Sequence, residues 1–145
     1  MRSPKLSSSI PETVIVDAVE KYFTMRGFEP VLREVQAGER FVDLMCVDPS
    51  NGDVYAVEAK VSATQRAFLQ AGRYQLIADY SLVAMPYRTN NCTALALAEE
   101  TGIGLLLVDT EGREPQRVDV CSPPRRSRLK LAGIAAGVWV SGIIR

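Results

Sequence analysis

Apolar residues along this chain fall into alternating stretches of helical and strand-like spacing. Apolar side chains recur every three or four positions between Pro11 and Gly27, which predicts a first helix over that range. Three extended segments follow, over residues 28–36, 40–48 and 53–62. One helix followed by three consecutive strands is therefore expected in the first half of the chain.

The second half of the chain repeats a helix–strand order. Thr64 is suited to cap a second helix that runs to about Asp79, and a short apolar strand follows over residues 80–86. A third helix is predicted over residues 90–101 and a buried strand over residues 103–109. The order αβββαβ, then αβ, predicts an α/β fold in which a central mixed β-sheet is flanked by helices.

Composition narrows the chemistry more than it narrows the fold. The 145 residues make about one domain, and the absence of histidine excludes Ser-His-Asp catalysis, HNH-type nucleases and histidine metal ligands. The three cysteines are widely separated and form no CxxC pair, which argues against a zinc ribbon and for free thiols. The chain has no signal-peptide core, and its longest apolar stretch, residues 131–144, is shorter than the ~20 residues of a membrane-crossing helix. We expect a soluble, cytoplasmic protein that has no membrane partner.

Charge is unevenly distributed although Lys+Arg and Asp+Glu both number 17. Basic residues concentrate near the C-terminus, and three parts are predicted: a flexible arm (1–11), a core domain (12–121) and a basic and apolar segment (122–145). We expect the last part to pack on the core or at a dimer interface. Its basic cluster is either an anion-binding patch or a solvated loop, and it consists of Arg125, Arg126, Arg128 and Lys130.

The strongest chemical signal is a pair of acidic residues on neighbouring strands. The sequence Pro-Ser-Asn-Gly at 49–52 predicts a hairpin loop that sets Asp48 opposite Asp53. Antiparallel pairing from that turn then places Asp43 opposite Glu58, with both side chains on one face of the sheet.

The surroundings of this pair favour a metal site. Lys60 falls on the same face, and Phe41, Met45 and Val47 are expected to flank Asp43 and cover it. Two opposed carboxylates on a covered face are costly unless a cation lies between them, and Mg²⁺ or Mn²⁺ prefers such oxygen ligands. The alternative is that these residues form the polar side of a half-exposed strand.

A helix that carries an acid, a hairpin with an aspartate and then E-x-K, and a further helix and strand resemble the PD-(D/E)xK superfamily. These restriction-endonuclease-like nucleases include Holliday-junction resolvases, and the resemblance covers residues ~12–109. It implies a restriction-endonuclease-like core. Val42 stands where the motif has its proline.

The resemblance also implies roles for individual residues. Asp43, Glu58 and the carbonyl group of Ala59 would bind Mg²⁺ (or Mn²⁺), and Lys60 would assist the attacking water. Gln70 and Tyr74 match a glutamine and a tyrosine one turn apart on the second helix. From the first helix, Glu20 is favoured over Asp17 and Glu12 as a further metal ligand.

We therefore expect a metal-dependent nuclease that hydrolyses phosphodiester bonds of DNA through a Mg-bound water and acts as a homodimer. Its expected catalytic residues are Asp43, Glu58, Lys60 and Gln70. Its expected nucleic-acid-binding residues are Arg66, Arg73, Arg125, Arg126 and Arg128. The two arginines of the second helix share one side with Gln70, although a solvated helix face is an equal alternative there. A different class of function, a catalytically inactive nuclease-fold module that binds nucleic acid or protein, also stays open.

Overall fold

A six-stranded mixed sheet forms the centre of the computed structural model, which describes residues 10–112 and 116–129. In chain order the elements are α1 (Glu12–Met25), β1 (Val31–Ala37), β2 (Arg40–Asp48), β3 (Asp53–Ala59), α2 (Thr64–Arg73), a 3₁₀ turn (Tyr74–Leu76), β4 (Tyr80–Pro86), α3 (Cys92–Thr101), β5 (Gly104–Val108) and β6 (Val118–Ser122). The strands lie in the order β1-β2-β3-β4-β5-β6, so each strand pairs with its neighbours in sequence.

Strand direction follows from the length of each connection. Short turns join β1, β2 and β3, which pair antiparallel, whereas helices join β3 to β4 and β4 to β5, which pair parallel. β6 adds an antiparallel strand at the far edge. The predicted α/β order and central mixed sheet are confirmed. β6 was not predicted, since its five residues, Val-Asp-Val-Cys-Ser, are too few to give a clear strand pattern.

Two apolar clusters cover the opposite faces of the sheet. On one face α1 buries Ile15 and Phe23 against strand residues that include Leu44. On the other face α2 and α3 bury side chains such as Phe68 and Ala98. Burying each large apolar side chain contributes about 1.5–3 kcal/mol, so these two layers hold the sheet in place.

Gly102 ends α3 and allows the chain after β6 to approach closely. Its φ is +80°, and a Cβ atom at this position would lie 2.9 Å from Nε of Arg125. The backbone N–H of Arg125 also donates to the Gly102 carbonyl at 2.8 Å. The left-handed conformation and the close contact both favour glycine here.

The chain after β6 folds back over the N-terminal ends of β3 and β4. Arg126 donates hydrogen bonds to Asp53 (2.6 Å) and to Asp79 (3.1 Å). Asp79 also accepts the backbone N–H of Val54 at 2.8 Å, and its own carbonyl accepts the N–H of Ser127 at 2.7 Å. The described residues after β6 therefore pack on the core, and the boundary that the sequence placed after residue 121 falls inside β6.

Residues 1–9 of the predicted arm and residues 130–145 of the predicted C-terminal segment lie outside the described residues. Among residues 10–112 and 116–129, no helix is both long enough and apolar enough to cross a bilayer.

Replacing Asp79 tests how firmly this segment is held. Asp79→Ala leaves the N–H of Val54 without its acceptor in a buried position and removes one of the two carboxylates that contact Arg126. We expect the free energy of unfolding, measured by urea denaturation, to fall by about 2–4 kcal/mol. Asp119→Ala removes an exposed carboxylate that pairs with Arg117 and should cost at most about 1 kcal/mol. Equal losses in the two variants would contradict this account.

Candidate functional site

The acidic pair lies where β2 and β3 stop pairing. The ladder follows the predicted register from the turn as far as Leu44–Val57, and that register is confirmed. One step further along each strand stand Asp43 and Glu58. At that step Oδ2 of Asp43 accepts the backbone N–H of Ala59 at 2.8 Å. The aspartate side chain therefore lies against the backbone of the E-x-K motif.

Burial raises the pKa of both carboxyl groups. The pKa of Glu58 rises from its usual 4.5 to about 7 because burial disfavours its charge and the charge of Asp43 adds to that effect. The hydrogen bond from Tyr74 and the charge of Lys60 act in the opposite direction. Burial also raises the pKa of Asp43, against the lowering effect of the Ala59 N–H. The two carboxylates thus interact electrostatically in a poorly solvated place.

A chain of polar side chains holds Glu58 in position. The hydroxyl of Tyr74, a buried residue, donates to Oε1 of Glu58 at 2.5 Å. The side chain of Gln70 hydrogen-bonds Tyr74, and Oε1 of Gln70 accepts from Nη1 of Arg40 at 3.3 Å. Gln70 and Tyr74 thus meet at the glutamate, as their spacing of one helical turn allows. Burial and the hydrogen bond to Glu58 both raise the pKa of Tyr74, so this hydroxyl keeps its proton.

Lys60 lies beside the carboxylates at the C-terminal end of β3. Its backbone N–H donates to the Ala84 carbonyl at 3.0 Å, which continues the pairing with β4. Its Nζ lies 3.6 Å from Oε2 of Glu12, and its charge lowers the pKa of Asp43 and of Glu58. One ammonium group therefore faces three carboxylates.

Glu20 does not lie near Asp43, Glu58 and Lys60 in the structure. The choice of Glu20 as the first-helix metal ligand was therefore wrong. Glu20 and Asp17 both accept hydrogen bonds from Arg33 of β1. The acid of the first helix that reaches the site is Glu12, in the first turn. Eight residues separate the two glutamates, a rise of about 12 Å along a helix, so they cannot serve the same place. The sequence did not reveal which end of α1 meets the end of β3.

A cleft of about 430 Å³ opens beside the acidic pair. Its lining residues are Arg40, Glu58, Lys60, Arg66, Leu69, Gln70 and Arg73. Four of these side chains are cationic and one is acidic, so the cleft concentrates positive charge in a protein of net charge 0. Such a surface suits a phosphate-bearing ligand.

Arg40 is a site residue that the sequence did not reveal. In a regularly alternating strand Arg40 and Val42 would share a face with Leu44. Instead Val42 packs in the same cluster as Met45, and Leu44 packs in the opposite one. The alternation of β2 side chains between the two faces of the sheet therefore reverses at Asp43. The neighbouring position on β1 is Glu34, which adopts φ +51°. This reversal turns Arg40 toward α2.

The same reversal explains a second difference. Met45 and Val47 are buried, as expected for neighbours of Asp43 on a covered face. Phe41 is 57% exposed and does not cover the carboxylates. Cover over the site comes from α2 instead.

The arginines after β6 lie at the other end of the sheet. Arg126 contacts Asp53, the first residue of β3, whereas Glu58 stands five residues further along that strand, about 17 Å away. Nη1 of Arg125 donates a hydrogen bond to the Glu99 carbonyl at 3.3 Å. Arg128 and Arg126 line a separate cleft. Of the five arginines predicted to bind nucleic acid, only Arg66 and Arg73 share the cleft of Glu58 and Lys60.

Two carboxylates, not three, offer ligands for a cation. Within residues 10–112 and 116–129, no group of three or more His, Cys, Asp or Glu residues is arranged to hold a metal ion. Asp43 uses Oδ2, and Glu58 uses Oε1, to accept a hydrogen bond. Among the described residues no hydrogen bond uses the second oxygen of either carboxylate, and Ala59 is the last residue of β3, next to Glu58.

Comparison with known proteins shows similarity in fold alone. No protein-family model matches this sequence, and no curated protein matches it. A protein of unknown function from Silicibacter pomeroyi has a similar structure, with a TM-score of 0.68 and 20% identity over 91% of this chain and 82% of that one. A repair endonuclease from Pyrococcus abyssi aligns with a TM-score of 0.51 and 22% identity over 67% of this chain and 46% of its own. At these identities the similarity establishes a shared fold, and this chain matches less than half of the endonuclease.

The pH dependence of stability tests the buried glutamate. Because the pKa of Glu58 is higher in the folded protein than its usual 4.5, the folded state holds more protons than the unfolded state between about pH 4.5 and 7. The contribution of Glu58 to stability is therefore favourable at low pH and is lost as the pH rises through about 7. Glu58→Gln removes this dependence. We expect the melting temperature of the variant, relative to the original protein, to be several degrees higher at pH 8 than at pH 5 in a chelating buffer.

Glu39→Gln removes one charge from an exposed turn and controls for the change in net charge. A difference between Glu58→Gln and the original protein that stays constant from pH 5 to pH 8 would contradict the raised pKa of Glu58.

Proposed function

We propose that this protein is a divalent-metal-dependent nuclease with a PD-(D/E)xK-type site. The observation that carries the proposal is the meeting of Asp43, Glu58 and Lys60 at the C-terminal end of β3, beside a cleft lined by arginines. The same end of parallel strands is where α/β proteins commonly bind ligands. The shared fold with a protein described as a repair endonuclease supports the same conclusion.

The donor set fits a hard cation such as Mg²⁺ or Mn²⁺. The available ligands are the second oxygens of Asp43 and Glu58 and the carbonyl of Ala59, all of them oxygen atoms. Burial destabilises the charge on both carboxylates, and a cation between them would offset that cost. Mg²⁺ sites are commonly completed by water and by substrate phosphate, so two carboxylates suffice.

A divalent ion bound there would lower the pKa of water and offset charge on the attacked phosphate. The protein's own groups have separate tasks. Tyr74 holds the Glu58 carboxylate in one orientation, and the Ala59 N–H does the same for Asp43. Lys60 supplies an ammonium group that hydrogen-bonds the attacking water or a phosphate oxygen. Arg66 and Arg73 bind the phosphates on either side of the cleaved bond.

DNA is the proposed substrate, and its chemistry matches the cationic lining of the cleft. The homodimer expected from the sequence stays a prediction, to be measured by analytical ultracentrifugation.

A second function is a binding module that keeps the nuclease fold without catalysis. Two observations favour it. Within the described ranges no third acid joins Asp43 and Glu58 as a ligand. In addition, Lys60 lies near Glu12 at 3.6 Å, an ion pair that a catalytic lysine must loosen to reach substrate.

Metal binding can be measured without any substrate. Mg²⁺ or Mn²⁺ that binds only the folded protein stabilises it by about 1.4 kcal/mol at ten times its dissociation constant. We expect the melting temperature to rise by several degrees when the ion replaces a chelator, and Asp43→Asn to abolish the rise because it removes one ligand charge. Asp119→Asn, an equivalent change on β6, should keep the full response. An unchanged response in Asp43→Asn would place the ion elsewhere.

Cleavage of labelled DNA separates the two functions. With Mg²⁺ or Mn²⁺ present, we expect the protein to cut at least one of single-stranded, duplex and branched DNA. Lys60→Met should lower the cleavage rate by about 10²–10⁴-fold, the usual contribution of a group that positions or accepts a proton. Lys21→Met, on the exposed side of α1, is the matched control and should cut normally. Binding of DNA without cleavage under either metal would favour the binding module.

A further inference from the structure

We infer that the cleft beside Glu58 binds a nucleic acid strand whose bases are unpaired, with Leu69 packed against a base and arginines on both walls holding the backbone. This inference rests on the proposed function for the identity of the ligand as nucleic acid. It adds the class of substrate, which the catalytic residues themselves do not specify.

The first observation is the composition of one face of α2. Arg66, Leu69, Gln70 and Arg73 stand at positions i, i+3, i+4 and i+7, which lie on one side of a helix, and all four line the cleft. The buried side of the same helix carries Ala67, Phe68 and Ala71. The cleft face therefore combines two cations, one amide and one apolar side chain.

The second observation is the exposure of Leu69. This side chain is 65% exposed, although the adjacent Phe68 is 4% exposed and belongs to the core. Leu69 therefore contributes little to packing within the described residues. Between two arginines it forms an apolar surface, which phosphates do not use but the face of a base does.

The third observation is the opposite wall. Arg40 extends from the start of β2 and reaches Gln70 on α2 at 3.3 Å, so the cleft has a cation on each side. A volume of about 430 Å³ lies at the lower end of the range for sites that enclose a small ligand. A cleft of this volume accommodates about one nucleotide unit between its walls.

These observations together favour an unpaired strand. In a duplex the faces of the bases are stacked on one another, and only the backbone and the groove edges are accessible. In a single strand the faces are accessible to apolar and aromatic side chains while cations follow the backbone. A wall that alternates Arg, Leu and Arg offers cations for the backbone and one apolar side chain for the face of a base.

Binding can be measured separately from cleavage. A fluorescently labelled 20-nucleotide DNA, single-stranded or annealed to its complement, is titrated with the full chain in a chelating buffer, and anisotropy gives each dissociation constant. We expect the single strand to bind about tenfold more tightly than the duplex of the same sequence.

Variants of Leu69 test the contact with the base. Leu69→Ser should weaken single-strand binding about 5–10-fold and leave duplex binding unchanged, whereas Leu69→Phe should tighten single-strand binding, since an aromatic ring stacks better. Leu76→Ser is the matched control, because Leu76 is 43% exposed and does not line the cleft. The Leu69→Phe variant keeps the test decisive if Leu69→Ser is poorly folded.

Arginine variants test the two walls. Arg40→Gln should weaken binding and reduce the slope of log affinity against log salt by about 1, as the loss of one phosphate contact does. Arg128→Gln, at the opposite end of the sheet, is its control and should leave both quantities unchanged.

The inference would be overturned if the duplex bound more tightly than the single strand, or if the two bound with equal affinity. It would also be overturned if Leu69→Ser weakened the binding of both DNAs equally, a result that would indicate insertion of Leu69 between the bases of duplex DNA. Binding of neither DNA would overturn it as well. Each of these outcomes is independent of metal-dependent cleavage. Cutting of duplex DNA without a preference for single strands would leave the proposed nuclease in place, whereas single-strand preference without cutting would remove only the catalysis.

Discussion

The register of the β2–β3 hairpin is the constraint on which the carboxylate pair depends. The turn is stabilised by Asp48, which accepts the N–H and the hydroxyl of Ser50 through its side chain and the N–H of Gly52 through its carbonyl. From this turn the ladder runs without a shift to the point where Asp43 and Glu58 follow. A slip of one residue would turn one of the two carboxylates to the other face of the sheet. A local turn thus determines the geometry of a site about five residues away along each strand.

The two carboxylates of the site differ from the buried carboxylate Asp79 in how their charge is compensated. Elsewhere the sheet is covered by apolar side chains, and a buried carboxylate such as Asp79 is paired with an arginine and a backbone N–H. Asp43 and Glu58 are instead brought together with raised pKa values, and within the described part of the chain only one oxygen of each is hydrogen-bonded. Retaining like charges in a poorly solvated place is expected where a ligand supplies the compensating charge, so this unfavourable electrostatics is an argument for function.

The basic residues at the two ends of the sheet have different surroundings. At the N-terminal ends of the parallel strands, Arg126 is neutralised by two aspartates and secures the chain after β6. At the C-terminal ends, Arg40, Arg66 and Arg73 surround a cleft in which Glu58 is the one acidic lining residue among those that the structure describes. An overall charge of 0 conceals this difference, because net charge reports the sum and not the arrangement.

The sequence by itself determined the order of the elements as far as β5, the hairpin register and the position of Glu58 and Lys60 at the end of one strand. These features follow from short-range periodicity and turn chemistry. It also determined that Gln70 and Tyr74 share a helix side. Tertiary structure decided which acid of α1 approaches Lys60, because that depends on how a helix crosses a twisted sheet and not on spacing within the helix. It likewise decided that Arg40 joins the cleft, through a reversal of strand alternation that no two-residue pattern contains. The arginines after β6 lie at the far end of the sheet because β6 runs antiparallel to β5 and ends beside the N-terminal end of that strand.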